Sequence, residues 1–112
     1  MEFIYSELNG TRIIKLIGKL DSAGFIDVDL KFTIHCAGEN ARVLVDLSGV
    51  SFLSSIGIRM LTMNAKSLSA RHGKMVLFNP SREVKRVLEM AGIPSMIPIY
   101  NNRESAEAVL MA

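Results

Sequence analysis

Two adjacent serines, Ser54 and Ser55, are the residues of this chain best placed to do chemistry. They follow the apolar, β-branched run Val43-Leu44-Val45-Asp46-Leu47 and precede the helical spacing Ile58, Leu61, Ala65, Leu68. They therefore stand where a strand gives way to a helix start. The first N–H groups of a helix lack intrahelical partners and carry the positive end of its dipole. A serine hydroxyl there accepts one such N–H, and a phosphate meets several. Phosphorylation adds about −1.5 to −2 charges at neutral pH. The chemistry indicated is a modification switch that a docking partner would sense, with little need for the fold to move.

Other chemistries find no support. The chain has no glycine-rich loop of Walker type, and Gly49-Val50-Ser51-Phe52-Leu53 is not a nucleophile elbow. His35 and His72 are far apart and lack metal-ligand spacing to cysteine or acids; both read as surface or boundary residues. Cys36 adjoins His35, but sequence neighbours point in different directions on a helix or strand, so the two are no catalytic pair. A core thiol is expected. Asp21, Asp27, Asp29 and Asp46 make no acid pair; Asp46 is expected to bind backbone N–H groups in the turn after its strand. No catalytic residue, metal or cofactor is expected.

Composition agrees. The 112 residues are 49% hydrophobic and 21% charged, enough for a real core and against disorder, and residues 1–112 read as one domain. Thirteen basic residues against eleven acidic give a net charge of +2. The one local cluster, Arg82, Lys85 and Arg86, sits among Glu83 and Glu89 and reads as a solvated helix face, so no nucleic-acid partner is expected. The single cysteine forms no disulfide within the chain, which fits a reducing compartment. No apolar run approaches the ~20 residues of a membrane span, and the N-terminal residues lack signal-peptide character, so a cytoplasmic protein is expected. Seven methionines read chiefly as core filling.

Elements on both sides must position the serines. Residues 3–8 and 11–18 form a hairpin about Asn9-Gly10. Gly18 to Gly24 reads as a turn with Asp21 or Ser22 capping the next segment. That segment, 25–37, is ambiguous. Ile26, Val28, Leu30, Phe32, Ile34 and Cys36 alternate as in a strand, while Ile26, Leu30, Thr33, Ile34 and Ala37 make a helical stripe. Local periodicity favours a strand; the buried strand from Arg42 needs a crossover before it, which favours a helix. Ser48-Gly49 is expected to turn the chain after Leu47, with Val50 to Leu53 crossing the sheet end. Ser54 or Ser55 then caps a helix closed at His72-Gly73. A strand at 74–79, a helix begun by Pro80-Ser81, a short edge at 96–100 and a last helix capped by Asn101 or Asn102 complete an α/β chain. A small mixed β-sheet with helices packed mainly on one face is expected.

The run Val43 to Ile58, Val-Leu-Val-Asp-Leu-Ser-Gly-Val-Ser-Phe-Leu-Ser-Ser-Ile-Gly-Ile, closely resembles the central motif of STAS domains, the bacterial anti-sigma factor antagonists and related domains of sulfate transporters. The likeness extends to Gly18-Lys19-Leu20-Asp21, to 73–77 and to 84–93, and so covers nearly the whole chain. It implies the STAS fold, with 25–37 as a helix. It also implies partner switching: the unphosphorylated antagonist binds an anti-sigma factor serine kinase, the kinase phosphorylates the motif and breaks the complex, and a phosphatase restores it. The family commonly reads Asp-Ser-Ser/Thr-Gly here. Ser54 stands at the aspartate, Ser55 matches the first hydroxyl residue, and Ile56 replaces the second, which is phosphorylated in some members. The resemblance thus makes Ser55 the expected phosphorylation site, with Ser54 the alternative. It places partner binding at Asp21, Ser22, Gly24, Phe25, Ser54, Ser55, Ile56, Gly57 and Arg59. The rival expectation is a non-phosphorylated interaction or scaffold subunit, transporter-associated or stressosome-like. A weak homodimer is left open.

Overall fold

A computed structural model describes residues 1–112. The order is β1 (Glu2–Leu8), β2 (Thr11–Leu20), α1 (Ser22–His35), β3 (Arg42–Leu53), α2 (Ser55–Ala70), β4 (Lys74–Phe78), α3 (Arg82–Met90), β5 (Ile99–Tyr100) and α4 (Arg103–Met111). The five strands lie in the order β1-β2-β3-β4-β5. β1 and β2 are antiparallel, closed at Asn9-Gly10, whose φ angles of 53° and 80° suit a tight hairpin. The other pairings are parallel, each reached through a helical crossover.

The sheet buries both faces. Ile14, Leu16, Val43, Val45, Leu47, Met75 and Leu77 meet Val28 and Phe32 of α1, Leu61 and Leu68 of α2, and Leu88 of α3. Ile13, Leu44 and Val76 point the other way, onto Ala106 and Leu110 of α4. Three helices therefore share one face and α4 alone covers the second. Cover on both sides is why the middle of β3 reads as an unbroken apolar run rather than an alternation.

Segment 25–37 is helical, and its ambiguity has a structural cause. Val28, Phe32 and Cys36 are buried, whereas Ile26, Leu30 and Ile34 are exposed. Each set has helical spacing of four; offset by two residues, or 200°, they lie on opposite sides of α1 and together imitate a strand's period of two. The helical stripe read from the sequence, Ile26, Leu30, Thr33, Ile34 and Ala37, is exposed throughout.

Two expected turns are strand. β2 continues through Gly18 to Leu20, and β3 continues through Ser48-Gly49 to Leu53. The punctuation that imitates a turn in β3 is a pair of bulges: the register against β2 slips between Lys15/Ile17 and again between Gly18/Lys19. Asp46 stabilises the first bulge, its Oδ1 accepting from Ser48 N at 2.9 Å and Ser48 Oγ at 2.7 Å. The expected backbone-binding role of Asp46 is thus present within a strand.

Candidate functional site

The serines stand at the carboxyl ends of two parallel strands. Lys19 pairs with Phe52 and Leu20 with Leu53, which brings the starts of α1 and α2 side by side. Ser54 is the residue before α2, but its hydroxyl does not cap the helix. It donates to the Leu20 carbonyl oxygen at 2.8 Å, and the Ser54 N–H donates to the same oxygen at 3.0 Å. Ser55 is the first residue of α2 and is exposed, with no partner for its hydroxyl in the fold. Of the two hydroxyls, one holds the strand ends together and the other faces solvent.

Asp21 performs the expected capping of α1: its Oδ1 accepts from Gly24 N at 2.9 Å while its carbonyl accepts from Phe25 N at 2.8 Å. Ser22 is exposed beside it. Gly24 and Gly57 are buried and set how closely the chain segments approach. A Cβ on Gly24 would lie 2.0 Å from the Lys19 carbonyl oxygen, and one on Gly57 would lie 2.6 Å from Leu20 Cγ and 2.9 Å from Leu53 Cδ1. These glycines serve the surface from beneath by letting both helices begin against the strand ends.

Phe25 and Ile56 are half-buried and meet across a groove of about 450 Å³ between α1 and α2, which Asp29, Arg59 and Met63 also line. Arg59 is exposed, forms no ion pair, and follows Ser55 by one helical turn. The structure thus joins Asp21, Ser22, Phe25, Ser54, Ser55, Ile56 and Arg59 on one edge, with Gly24 and Gly57 underneath. It adds Phe52, 50% exposed despite its size. The mark of Phe52 in the sequence is faint: a lone aromatic in a strand-like run reads as core unless the second bulge is known.

The remaining reactive groups lie elsewhere. Cys36 is buried, and burial pushes its thiol up to about 12. His35 packs against the rings of Phe3 and Tyr5, with centroids at 5.2 and 4.2 Å. His72 is exposed, with Nδ1 3.7 Å from Glu39. No three His, Cys, Asp or Glu side chains are grouped so as to share a metal ion, and no helix is long and apolar enough to cross a membrane. The edge can present backbone N–H groups, one free hydroxyl and a cation.

Known proteins share this arrangement of elements. The model of the STAS domain matches residues 3–106. BtrV of Bordetella bronchiseptica, named as an anti-sigma factor antagonist, is 30% identical over 108 residues, 96% of this chain and 93% of that protein. An anti-sigma F factor antagonist of Lysinibacillus sphaericus is 27% identical over 84 residues, 74% and 72% of the two chains. Among solved structures, an anti-sigma factor antagonist (STAS) domain protein of Planctomyces limnophilus superposes with a TM-score of 0.87 at 19% identity, covering 98% of each chain. Unphosphorylated SpoIIAA superposes at 0.78 with 22% identity, covering 99% of this chain and 98% of its own. The murine anion transporter Slc26a9 contains the same fold, with a TM-score of 0.78 at 18% identity over 95% of this chain and 18% of that one.

Proposed function

Because the chain belongs to the STAS domain family, as an anti-sigma factor antagonist-like member, we propose that it binds an anti-sigma factor serine kinase and is released by phosphorylation of Ser55. The observation that carries this reading is the division of labour between the serines. Ser54 Oγ is committed to the Leu20 carbonyl, while Ser55 is exposed at the positive end of α2. The kinase transfers the γ-phosphoryl group of ATP to Ser55 Oγ; the new O–P bond replaces the bond to the leaving ADP, and the hydroxyl proton is lost. A phosphate there sits over free N–H groups, one turn from Arg59, so the fold accommodates it. The docking surface of Asp21, Ser22, Phe25, Ser54, Ile56 and Arg59 acquires about two negative charges, which a partner must desolvate or repel. SpoIIAA, which shares the fold, occurs in unphosphorylated and phosphorylated forms.

In this reading residues 1–112 act as one cytoplasmic module with no turnover of its own, and a phosphatase resets it. Incubation with the cognate kinase and ATP, followed by peptide mass spectrometry, is expected to place one phosphate on Ser55. No phosphate on either serine, with kinase binding intact in Ser55→Asp, rejects the switch.

Ile56 favours one alternative. It puts an apolar side chain in the groove where the family pattern carries a second hydroxyl. A non-switching scaffold or transporter-associated subunit would use the same edge permanently. Co-purification separates the two: an ATP-binding anti-sigma kinase supports the switch, and a transporter ATPase supports the scaffold.

A further inference from the structure

The outer face of α1 is apolar without an internal reason. Ile26, Leu30 and Ile34 are 78%, 72% and 57% exposed, while Val28, Phe32 and Cys36 already fill the inner side. We propose that a second copy of this chain covers this face, the two α1 helices pairing antiparallel about Leu30.

Two features of α1 select a second copy over other occupants. The first is self-complementarity, which a two-fold interface requires. In an antiparallel pair centred on Leu30, Leu30 meets its own copy and Ile26 meets Ile34. The apolar stripe reads the same in both directions.

The second feature is charge. Asp27 and Lys31 are four residues apart and share one flank of the stripe. Like flanks meet in antiparallel helix pairs, so Asp27 of each copy faces Lys31 of the other, twice over. Lys31 has no ion-pair partner within its own chain, and Asp27, bound to the Met1 amino group at 2.8 Å, remains about half exposed. The acidic residues Asp27 and Asp29 also oppose seating on an anionic lipid surface. Three large aliphatic side chains supply a few hundred Å² per copy, below the ~800 Å² per partner of a stable interface, so the pair is weak, with Kd on the order of 10 to 1,000 μM.

Sedimentation velocity on the full chain from 10 μM to 2 mM tests this. The weight-average mass is expected to climb toward twice the monomer value. Leu30→Glu, at the two-fold centre, is expected to hold the protein monomeric with its unfolding midpoint nearly unchanged. Asp27→Lys and Lys31→Glu each put like charges opposite and are expected to weaken pairing about three- to tenfold. The double variant D27K/K31E restores opposite charges and is expected to recover pairing; thermal melts of all four variants confirm folding. A chain that stays monomeric at 2 mM overturns the proposal. So does association indifferent to Leu30→Glu, or a double swap that recovers nothing in folded protein. A monomer in which Leu30→Glu instead abolishes binding of the anti-sigma factor also overturns it, giving the face to that partner.

Discussion

The Leu20 carbonyl oxygen accepts both the hydroxyl of Ser54, at 2.8 Å, and its backbone N–H, at 3.0 Å. One acceptor on β2 therefore fixes the residue that launches α2. Ser54→Ala removes the hydroxyl bond and leaves the backbone bond in place. A loss of about 0.5–1.5 kcal/mol in urea-unfolding stability is expected. If Ser54 were instead a free phosphate acceptor, the alanine variant would lose the modification and keep its stability.

Ser55 should show the opposite pattern. Ser55→Ala leaves stability within about 0.5 kcal/mol, because an exposed hydroxyl without a partner is removed. It should retain kinase binding and take up no phosphate. Ser55→Asp is expected to weaken binding at least about tenfold by calorimetry, less at high salt, because the added charge is exposed and screened. Equal binding by Ser55→Asp and the native chain would contradict a charge switch.

The two glycines under the edge should respond unequally. At Gly57 a methyl group meets side-chain atoms of Leu20 and Leu53, which can shift. Gly57→Ala is expected to cost about 1–3 kcal/mol. At Gly24 the methyl meets the Lys19 carbonyl oxygen at 2.0 Å, and backbone cannot yield without unseating the start of α1. Gly24→Ala should cost more than about 3 kcal/mol and lower partner affinity through the displaced Phe25. Chemical denaturation of both variants ranks them directly.

The helix α1 shows where sequence is legible and where it is not. Its existence follows from the need to cross from β2 to a parallel β3. Its orientation does not, because both of its opposite sides are apolar and periodicity gives each equal weight. Truncating one residue on each side measures the difference. Phe32→Ala, with Phe32 fully buried, is expected to cost about 3–5 kcal/mol. Leu30→Ala, at a site 72% exposed, should change monomer stability by less than about 0.5 kcal/mol. Reversed values would place the core on the other side of the helix.

At the candidate site the same distinction holds. The serines, a cap at Asp21 or Ser22 and the helix start follow from residue types and spacing; the choice of Asp21 is made by its bond to Gly24 N. The bulges of β3 do not follow from them, since Ser48-Gly49 punctuates a strand with the residues of a turn. The bulges decide that Phe52 is exposed and Leu53 buried, and so shape the edge beside Ser54. Nothing local to Ser54 announces its bond to Leu20, a partner 34 residues away.

Cys36 supplies the pH dependence. Burial raises its thiol from 9.0 to about 12, against a smaller opposing pull from the guanidinium groups of Arg12 and Arg71. The unfolded chain ionises the thiol near pH 9, while the folded chain keeps the proton to about pH 12. Between those values the folded state binds more protons, so stability falls as pH rises. The contribution is complete below pH 9 and is lost at up to about 1.4 kcal/mol per pH unit above it. Tyr5, raised from 10.0 to about 12 by desolvation and then by its hydrogen bond to Glu7, adds loss of the same sign above pH 10. Urea midpoints from pH 8 to 11 should therefore decline, less steeply in Cys36→Ala and least in the variant that also carries Tyr5→Phe. A thiol reagent at pH 8 should react only as fast as the native chain opens. Rapid labelling of folded protein, or equal alkaline slopes in all three chains, would show that Cys36 is not the buried thiol described.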